Sequence, residues 1–368
     1  MKKRLRVNIH SSRRKLSLGK YILILLVLVV LAIPSASIYY SAAGGKFCAR
    51  CHEIQPAYRS WHTSTHRDIA CKECHGGLLT MSWQFHKNNL SQLMTHLSGN
   101  IPERIKLEHT SIDRIMQNCK RCHEQAYAQW QAGPHSATYE NIFLDEEHNS
   151  KRMLTANCLR CHGMHFAGSI NDLVTPIDTQ GPWLIKYPHK KELPSIPCLA
   201  CHQIHKEGTP LQEVDETAEA ERERTRPSLA FYDRRARMHW DVDLLPLPAM
   251  MDEQRPVRVN PDSRQALCYQ CHAPFSSSQV RSGDDRTCIG VHEGISCLAC
   301  HQGHTMNTKA SCQTCHPQLS NCGIDVETMD TTFKNPESSH NIHFVKCRDC
   351  HRDGVPKKTP TTLNAIQP

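Results

Sequence analysis

The sequence predicts short α-helices and irregular loops wrapped around covalently held prosthetic groups, preceded by one N-terminal transmembrane helix. Three observations carry that prediction. The five-residue unit C-x-x-C-H occurs nine times, an unbroken apolar run (YILILLVLVVLAI, Tyr21 to Ile33) precedes the first of them, and the chain holds 25 histidines.

The nine units are Cys48/Cys51/His52, Cys71/Cys74/His75, Cys119/Cys122/His123, Cys158/Cys161/His162, Cys198/Cys201/His202, Cys268/Cys271/His272, Cys297/Cys300/His301, Cys312/Cys315/His316 and Cys347/Cys350/His351, which use eighteen of the twenty cysteines. C-x-x-C-H is the attachment signature of c-type haem. Two thiols three residues apart lie on one face of a helical turn, where each can add to a haem vinyl group, and the next residue is a histidine that can reach the iron. A pair of such units could instead build a zinc site from four Cys or His ligands. An odd number of copies, each with its histidine in the same place and all beyond an export signal, argues against zinc. The expected fold class is therefore a multihaem cytochrome c carrying nine haem c groups.

Length and charge narrow the reading further. A chain of 368 residues has room for two or three ordinary domains. With one motif every few dozen residues, much of the interior is expected to be porphyrin, and neither a continuous sheet nor a large aliphatic core is expected. The net charge of +8 is concentrated at the N-terminus: eight of the 44 Lys and Arg lie in residues 1–20 with no acidic partner, which leaves 36 basic against 36 acidic residues beyond them. The exported part is neutral, and no nucleic-acid partner is expected.

In chain order, residues 1–20 read as a basic cytoplasmic tail and 21–43 as a transmembrane anchor. The basic flank orients everything after it to the far side of the inner membrane, where haem c is attached and thiols are oxidised. The alternative is a cleaved signal peptide, because small residues follow a short apolar core. Residues 44–170 hold the first four motifs. Within them Leu90, Leu93, Met94 and Leu97 fall on one face of an expected helix that covers a haem or lies on the membrane surface. Trp61 with His66 and Trp130 with His135 repeat a W-x-x-x-x-H spacing. Residues 171–205 hold the fifth motif, 206–262 read as a charged and proline-rich connector, and 263–368 hold the last four. Cys288 and Cys322 are left over, and a disulfide is the default expectation in an oxidising compartment.

Nine histidines are proximal, His10 lies in the tail, and fifteen others remain. That surplus suffices to give every iron a second histidine, and six-coordinate iron has no open site for substrate, so electron transfer is the expected task. Distal candidates follow from spacing. His66 and His292 each precede a motif by five residues and His343 by four; His165, His205 and His304 each follow a proximal histidine by three; His135 enters through the tryptophan repeat.

The anchor followed by CARCHEIQPAYRSWHTSTHRDIACKECHGG, the LLTMSWQFH segment, NCKRCH and NCLRCH resembles the NapC/NirT/NrfH family of membrane-anchored tetrahaem quinol dehydrogenases, over roughly residues 15–170. The resemblance implies oxidation of menaquinol or ubiquinol and delivery of electrons to periplasmic partners. It also implies that His66 serves the fourth haem, His86 the third and His165 the second. Family members often place methionine two residues after the first proximal histidine, where this chain has Ile54. The first haem is then either five-coordinate or bound by another residue such as His62. The five later motifs extend the tetrahaem pattern.

Three functions are compatible with this reading. The first is a quinol-linked cytochrome passing electrons from the membrane quinone pool to periplasmic or outer-membrane acceptors, alone or within a larger respiratory complex. As a quinol dehydrogenase it needs a proton acceptor, for which Lys46, Glu53 and Lys87 are candidates. The second is a terminal reductase of nitrite, hydroxylamine or a sulfur oxyanion, which needs an open iron; no C-x-x-C-K occurs, and Ile54 leaves only the first haem for it. The third is a pure relay with no quinone site.

Overall fold

The computed structural model describes residues 18–42, 45–75 save 47, 51 and 53, 91, 94–99, 109–205 save 152, 229–247, 251–272 save 253, 292–301, 304, 308–315, 343 and 352–354. The expectations for Cys51, Glu53, His86, Lys87, Cys288, His316, Cys322, Cys347, Cys350 and His351 lie outside the described residues. The chain divides into two compact units, 1–55 with 69–103, and 56–68 with 104–368.

In the first unit, α1 (Leu18–Ala42) is a helix of 25 residues whose described aliphatic side chains are exposed. Among the described residues no helix is long and apolar enough to cross a membrane, the described side chains of α1 running unbroken only over 18–28. A 3-10 turn, Cys48–Arg50, carries the start of the first motif, closed by a 3.1 Å bond from the Ala49 amide to the Gly45 carbonyl. Gly45 has φ +80°, a conformation that an L side chain resists, which suits glycine to this turn. The second motif is itself a helix, Cys71–His75. Residues 94–97 form a further helical turn that ends at Gly99, with φ +74°.

The second unit is built of short helices and three two-stranded antiparallel sheets around small cores. The expected absence of a continuous sheet agrees with this arrangement among the described residues. One core gathers Tyr139, Phe143, Leu159, Phe166, Leu173 and Trp183, between motif four and the β1 (Val174–Thr175) and β2 (Leu184–Ile185) hairpin. The Tyr139–Phe143 helix in it opens with a reciprocal cap between Thr138 and Asn141, which satisfies amides that the first turn leaves without partners. A second core packs Met164, Ala200, Phe231 and Tyr232 with Cys201 and Cys271 of motifs five and six. Its hairpin pairs β3 (Ala230–Asp233) with β4 (Met238–Asp241), Tyr232 opposite His239. The turn between them is made by Asp233, whose carboxylate accepts from the Arg235 and Ala236 amides. The third core joins Ile112 and Met116 of the His109–Lys120 helix to Trp130 of the Glu124–Ala132 helix, against Cys198 and Leu199 of motif five. In the second and third cores cysteines take part in the packing, so those cores form around haem attachment points.

Most cysteines of motifs two to eight are partly buried, Cys74 among them, and Cys122 is exposed. For Cys122 the reason is that the turn of motif three runs past the core its helix helps to build: Ile112 and Met116 are buried, and residues 120–124 are exposed. Cys315, at the end of the Lys309–Cys315 helix, is exposed as well.

Candidate functional site: the haem motifs and their histidine pairs

Each described motif is one tight turn. The amide of the motif histidine reaches back to the carbonyl of the first cysteine at 2.8 Å in motif three, 3.0 Å in motif five and 2.7 Å in motif seven. In motif three the Cys122 amide also donates to the Cys119 carbonyl, at 3.1 Å. This four-residue closure puts both thiols and the imidazole on one side of the turn, as double attachment requires. The second, fourth and seventh motifs begin helices at their first cysteine, whereas the sixth and eighth end helices at Ser263–His272 and Lys309–Cys315. The motif works at either end because only one turn of geometry is needed.

The cysteines of motifs two to eight are thiols outside any disulfide, and among the described residues no group of three His, Cys, Asp or Glu is placed to hold a metal ion directly. Burial pushes the Cys201 thiol up to about 12 and Cys268 up to about 11. A site that disfavours thiolate suits a neutral sulfur, which a haem thioether is. Burial likewise drives His162 and His202 down to about 4, with His148 and His304 respectively adding to the effect. These imidazoles are neutral at ordinary pH, with a lone pair available to a metal.

The folded chain brings motif histidines close to distant ones. His123 lies 6.0 Å, ring centroid to ring centroid, from His66; His272 lies 6.1 Å from His135; His202 lies 5.9 Å from His304; and His301 lies 6.3 Å from His343. Two imidazoles sharing one metal, with each nitrogen about 2.0 Å from it, hold their ring centres roughly 6 Å apart. The four pairs have the spacing of axial ligands on a common iron, and the residues present fit haem c.

The local frame that presents two of these histidines is a repeat longer than the sequence reading found. Tyr58 packs on Trp61 at 5.5 Å ahead of His66, and Tyr127 packs on Trp130 at 5.3 Å ahead of His135. The unit is Y-x-x-W-x-x-x-x-H, and the tyrosine spacing was its missed signal. Trp130 is anchored by its indole N–H, which donates to the Ile196 carbonyl at 3.1 Å.

The remaining candidates fall elsewhere. The resemblance implied the fourth haem for His66, but the structure sets it against His123 of the third motif. His205 is oriented by a 2.8 Å bond between Nδ1 and the Ala57 carbonyl, the arrangement that leaves Nε2 for a metal. His165 is buried and stacked on Tyr232 at 4.0 Å. His292 begins a turn in which its carbonyl accepts from the Ile295 amide at 3.1 Å. Lys46 is exposed, and His62 is an exposed residue beside Tyr58 and Trp61. His239, absent from the sequence candidates, has Nε2 engaged at 2.7 Å by the Leu199 carbonyl and is a structural residue.

Motifs four and six touch directly. Arg160 of motif four donates to Gln270 of motif six at 3.0 Å. Motif seven joins motif six through Gln265, whose side-chain oxygen accepts from the Cys297 amide at 3.0 Å and thiol at 3.1 Å.

Residues 44–220, which contain the first five motifs, match the family described as outer membrane cytochrome MtrC/MtrF-like, domains II/IV. The chain is also similar to the cytochrome c-type protein NrfH of Wolinella succinogenes, 26% identical over 111 residues, or 29% of this chain and 63% of that protein. The chain thus spans less than two thirds of the length of the curated relative it matches. No solved structure matches it. Motif chemistry and both likenesses agree on one coarse conclusion: the chain is a multihaem cytochrome c that serves electron transport.

Proposed function

We propose that the chain is a nonahaem cytochrome, anchored in the inner membrane with its haem domain in the periplasm. It takes electrons from the quinol pool and passes them to periplasmic or outer-membrane redox proteins in anaerobic respiration. The observation that carries the electron-relay part is the set of four histidine pairs at 5.9–6.3 Å. Haem bound there supplies one-electron redox chemistry. The paired histidines would hold each of those irons from both sides, which would leave no coordination site for a small substrate and favours relay over reduction at those motifs.

The pairing also fixes the order of neighbours. His304, three residues from His301 of motif seven, serves motif five through His202; His135, which precedes motif four, serves motif six through His272. Each distal histidine is tied by a short stretch of chain to another motif, so adjacent haems are held at fixed separations. The Arg160–Gln270 bond between motifs four and six adds a direct link. Electrons then pass between motifs four and six across the connector, without visiting the haems in sequence order.

The anchor rests on α1. Its 25 residues span about 37 Å at helical rise, enough for a hydrocarbon core of about 30 Å. Its apolar sequence and basic flank support insertion with the tail in the cytoplasm. Glu53 and Lys87 remain the proposed proton acceptors. Anaerobic reduction of the detergent-extracted protein by a menaquinol analogue, with and without a quinone-site inhibitor, tests the reading. Rapid, inhibitor-sensitive reduction that is lost when 1–43 is replaced by a cleavable export signal is expected. A protein that dithionite reduces fully and quinol does not is instead a relay fed by another subunit, a reading to which the MtrC/MtrF-like match of 44–220 lends support.

A further inference from the structure

We infer that His96 is the sixth ligand of the first haem, opposite His52. This rests on the nonahaem reading, and it fills the vacancy that Ile54 leaves in the sequence pattern. Both histidines belong to the first compact unit, and their ring centroids stand 5.5 Å apart at an interplanar angle of 53°. That separation adjoins the 5.9–6.3 Å of the four pairs in the second unit. It is shorter than the roughly 6 Å of two imidazoles that share one metal at about 2.0 Å each, so haem binding would move the two rings apart by a fraction of an ångström to about 1 Å.

The backbone around each ring holds it in place. His52 lies two residues after the Cys48–Arg50 turn, and its carbonyl accepts from the Gln55 amide at 3.3 Å. His96 sits on the 94–97 helical turn, in which the Ser98 amide donates to the Met94 carbonyl at 3.0 Å and the Gly99 amide to the His96 carbonyl at 3.1 Å. Thr95 and Ser98 add side-chain bonds to the Ser91 and Thr95 carbonyls. Gly99, at φ +74°, ends the turn directly after these residues. His96 is half-buried, so its ring is partly withdrawn from water. Ile54 has no donor atom, and His62, the other candidate from the sequence, is exposed with its ring beside Tyr58 and Trp61.

Two chemical consequences follow. An iron closed by His52 and His96 offers no position to nitrite, hydroxylamine or a sulfur oxyanion, which removes the one open site on which a reductase reading depended. Quinol must then deliver its electrons to the porphyrin edge and not to the metal. The two-histidine haem also lies at lower potential than a histidine and methionine one.

The test uses the full-length holoprotein with His96→Ala and His96→Met. Electron paramagnetic resonance of the ferric protein and carbon monoxide titration of the ferrous protein report the open irons, and the mass of the Cys48–His52 peptide reports attachment. The wild type is expected to show a low-spin first haem that takes no carbon monoxide. His96→Ala is expected to gain one high-spin, carbon-monoxide-binding haem per chain with haem content unchanged. His96→Met is expected to restore low spin with a sulfur-to-iron charge-transfer band, which separates ligation from misfolding. A wild type that already binds carbon monoxide at the first haem, or an alanine variant that gains no open iron, overturns the inference. A Cys48–His52 peptide without haem overturns it as well and independently refutes the count of nine. Failure of quinol reduction leaves the ligand assignment standing.

Discussion

Replacing Trp130 tests whether the tryptophan repeat holds a distal histidine in place. Trp130 is 8% exposed and packs on Ile112, Met116 and Leu199, joining the helix before motif three to the turn of motif five. Truncation to alanine removes the buried ring and leaves a cavity, a loss of about 3–5 kcal/mol for a buried tryptophan. It also leaves the Ile196 carbonyl without its indole donor, a contribution of about 1 kcal/mol contained in that range. Phenylalanine keeps most of the packing and loses the hydrogen bond, for about 1–2 kcal/mol. Guanidinium unfolding of the holoprotein, followed by loss of the low-spin haem spectrum, measures both. A difference of about 2 kcal/mol between the variants corresponds to roughly a thirtyfold change in the unfolding constant. Equal losses for Trp130→Phe and Trp130→Ala, or a loss below about 1 kcal/mol for alanine, would refute the view that this ring clamps the two motifs together.

Three further outcomes are expected. His135→Ala should open one haem to carbon monoxide, and peptide-resolved labelling should place it at motif six; an open haem at motif three or four would contradict the pairing with His272. Gly181→Ala should destabilise the region by about 1–3 kcal/mol through overpacking, because an added methyl would lie 2.5 Å from Asn149 Cβ and 2.7 Å from the Trp183 ring; an unchanged melting temperature would show that the loop yields. Burial holds His239 below 6.5 against the opposing bond to Leu199, so the fold favours its neutral form. Its contribution is complete above the unfolded value of 6.5 and is lost as the pH falls below that toward the folded value. Thermal melting between pH 7.5 and 5.5 should therefore show less acid sensitivity in His239→Gln than in the wild type, and identical slopes would exclude the histidine.

The motif chemistry was legible because it is local. Two thiols and an imidazole within five residues define an attachment turn whatever surrounds them, and the described motifs form that turn at helix starts, helix ends and 3-10 turns alike. The surroundings were less legible: Cys201 and Cys271 pack into a core, while Cys122 and Cys315 are exposed, because burial follows from what the rest of the chain lays over each turn. The distal candidates were legible as a set by the same spacing logic, and His66, His135, His304 and His343 each lie against a motif histidine. Which iron each one serves was not. Family analogy sent His66 to motif four, and the fold sets it beside His123, because the partner is chosen by the path of the chain between the two. His96 carried no spacing signal at all, since it stands far from any motif in sequence and reaches His52 only through the folding of the first unit.

The sequence by itself determined the cofactor class, the number of attachment motifs, the apolar segment ahead of them and the surplus of histidine, all of which depend on bonds or runs within a few residues. Only the tertiary structure decided which histidines stand side by side, the contact between motifs four and six, and the neutral state of buried imidazoles such as His162 and His202. Those properties depend on groups brought together across long stretches of chain and on water excluded from between them, and neither distance nor burial is written in local sequence.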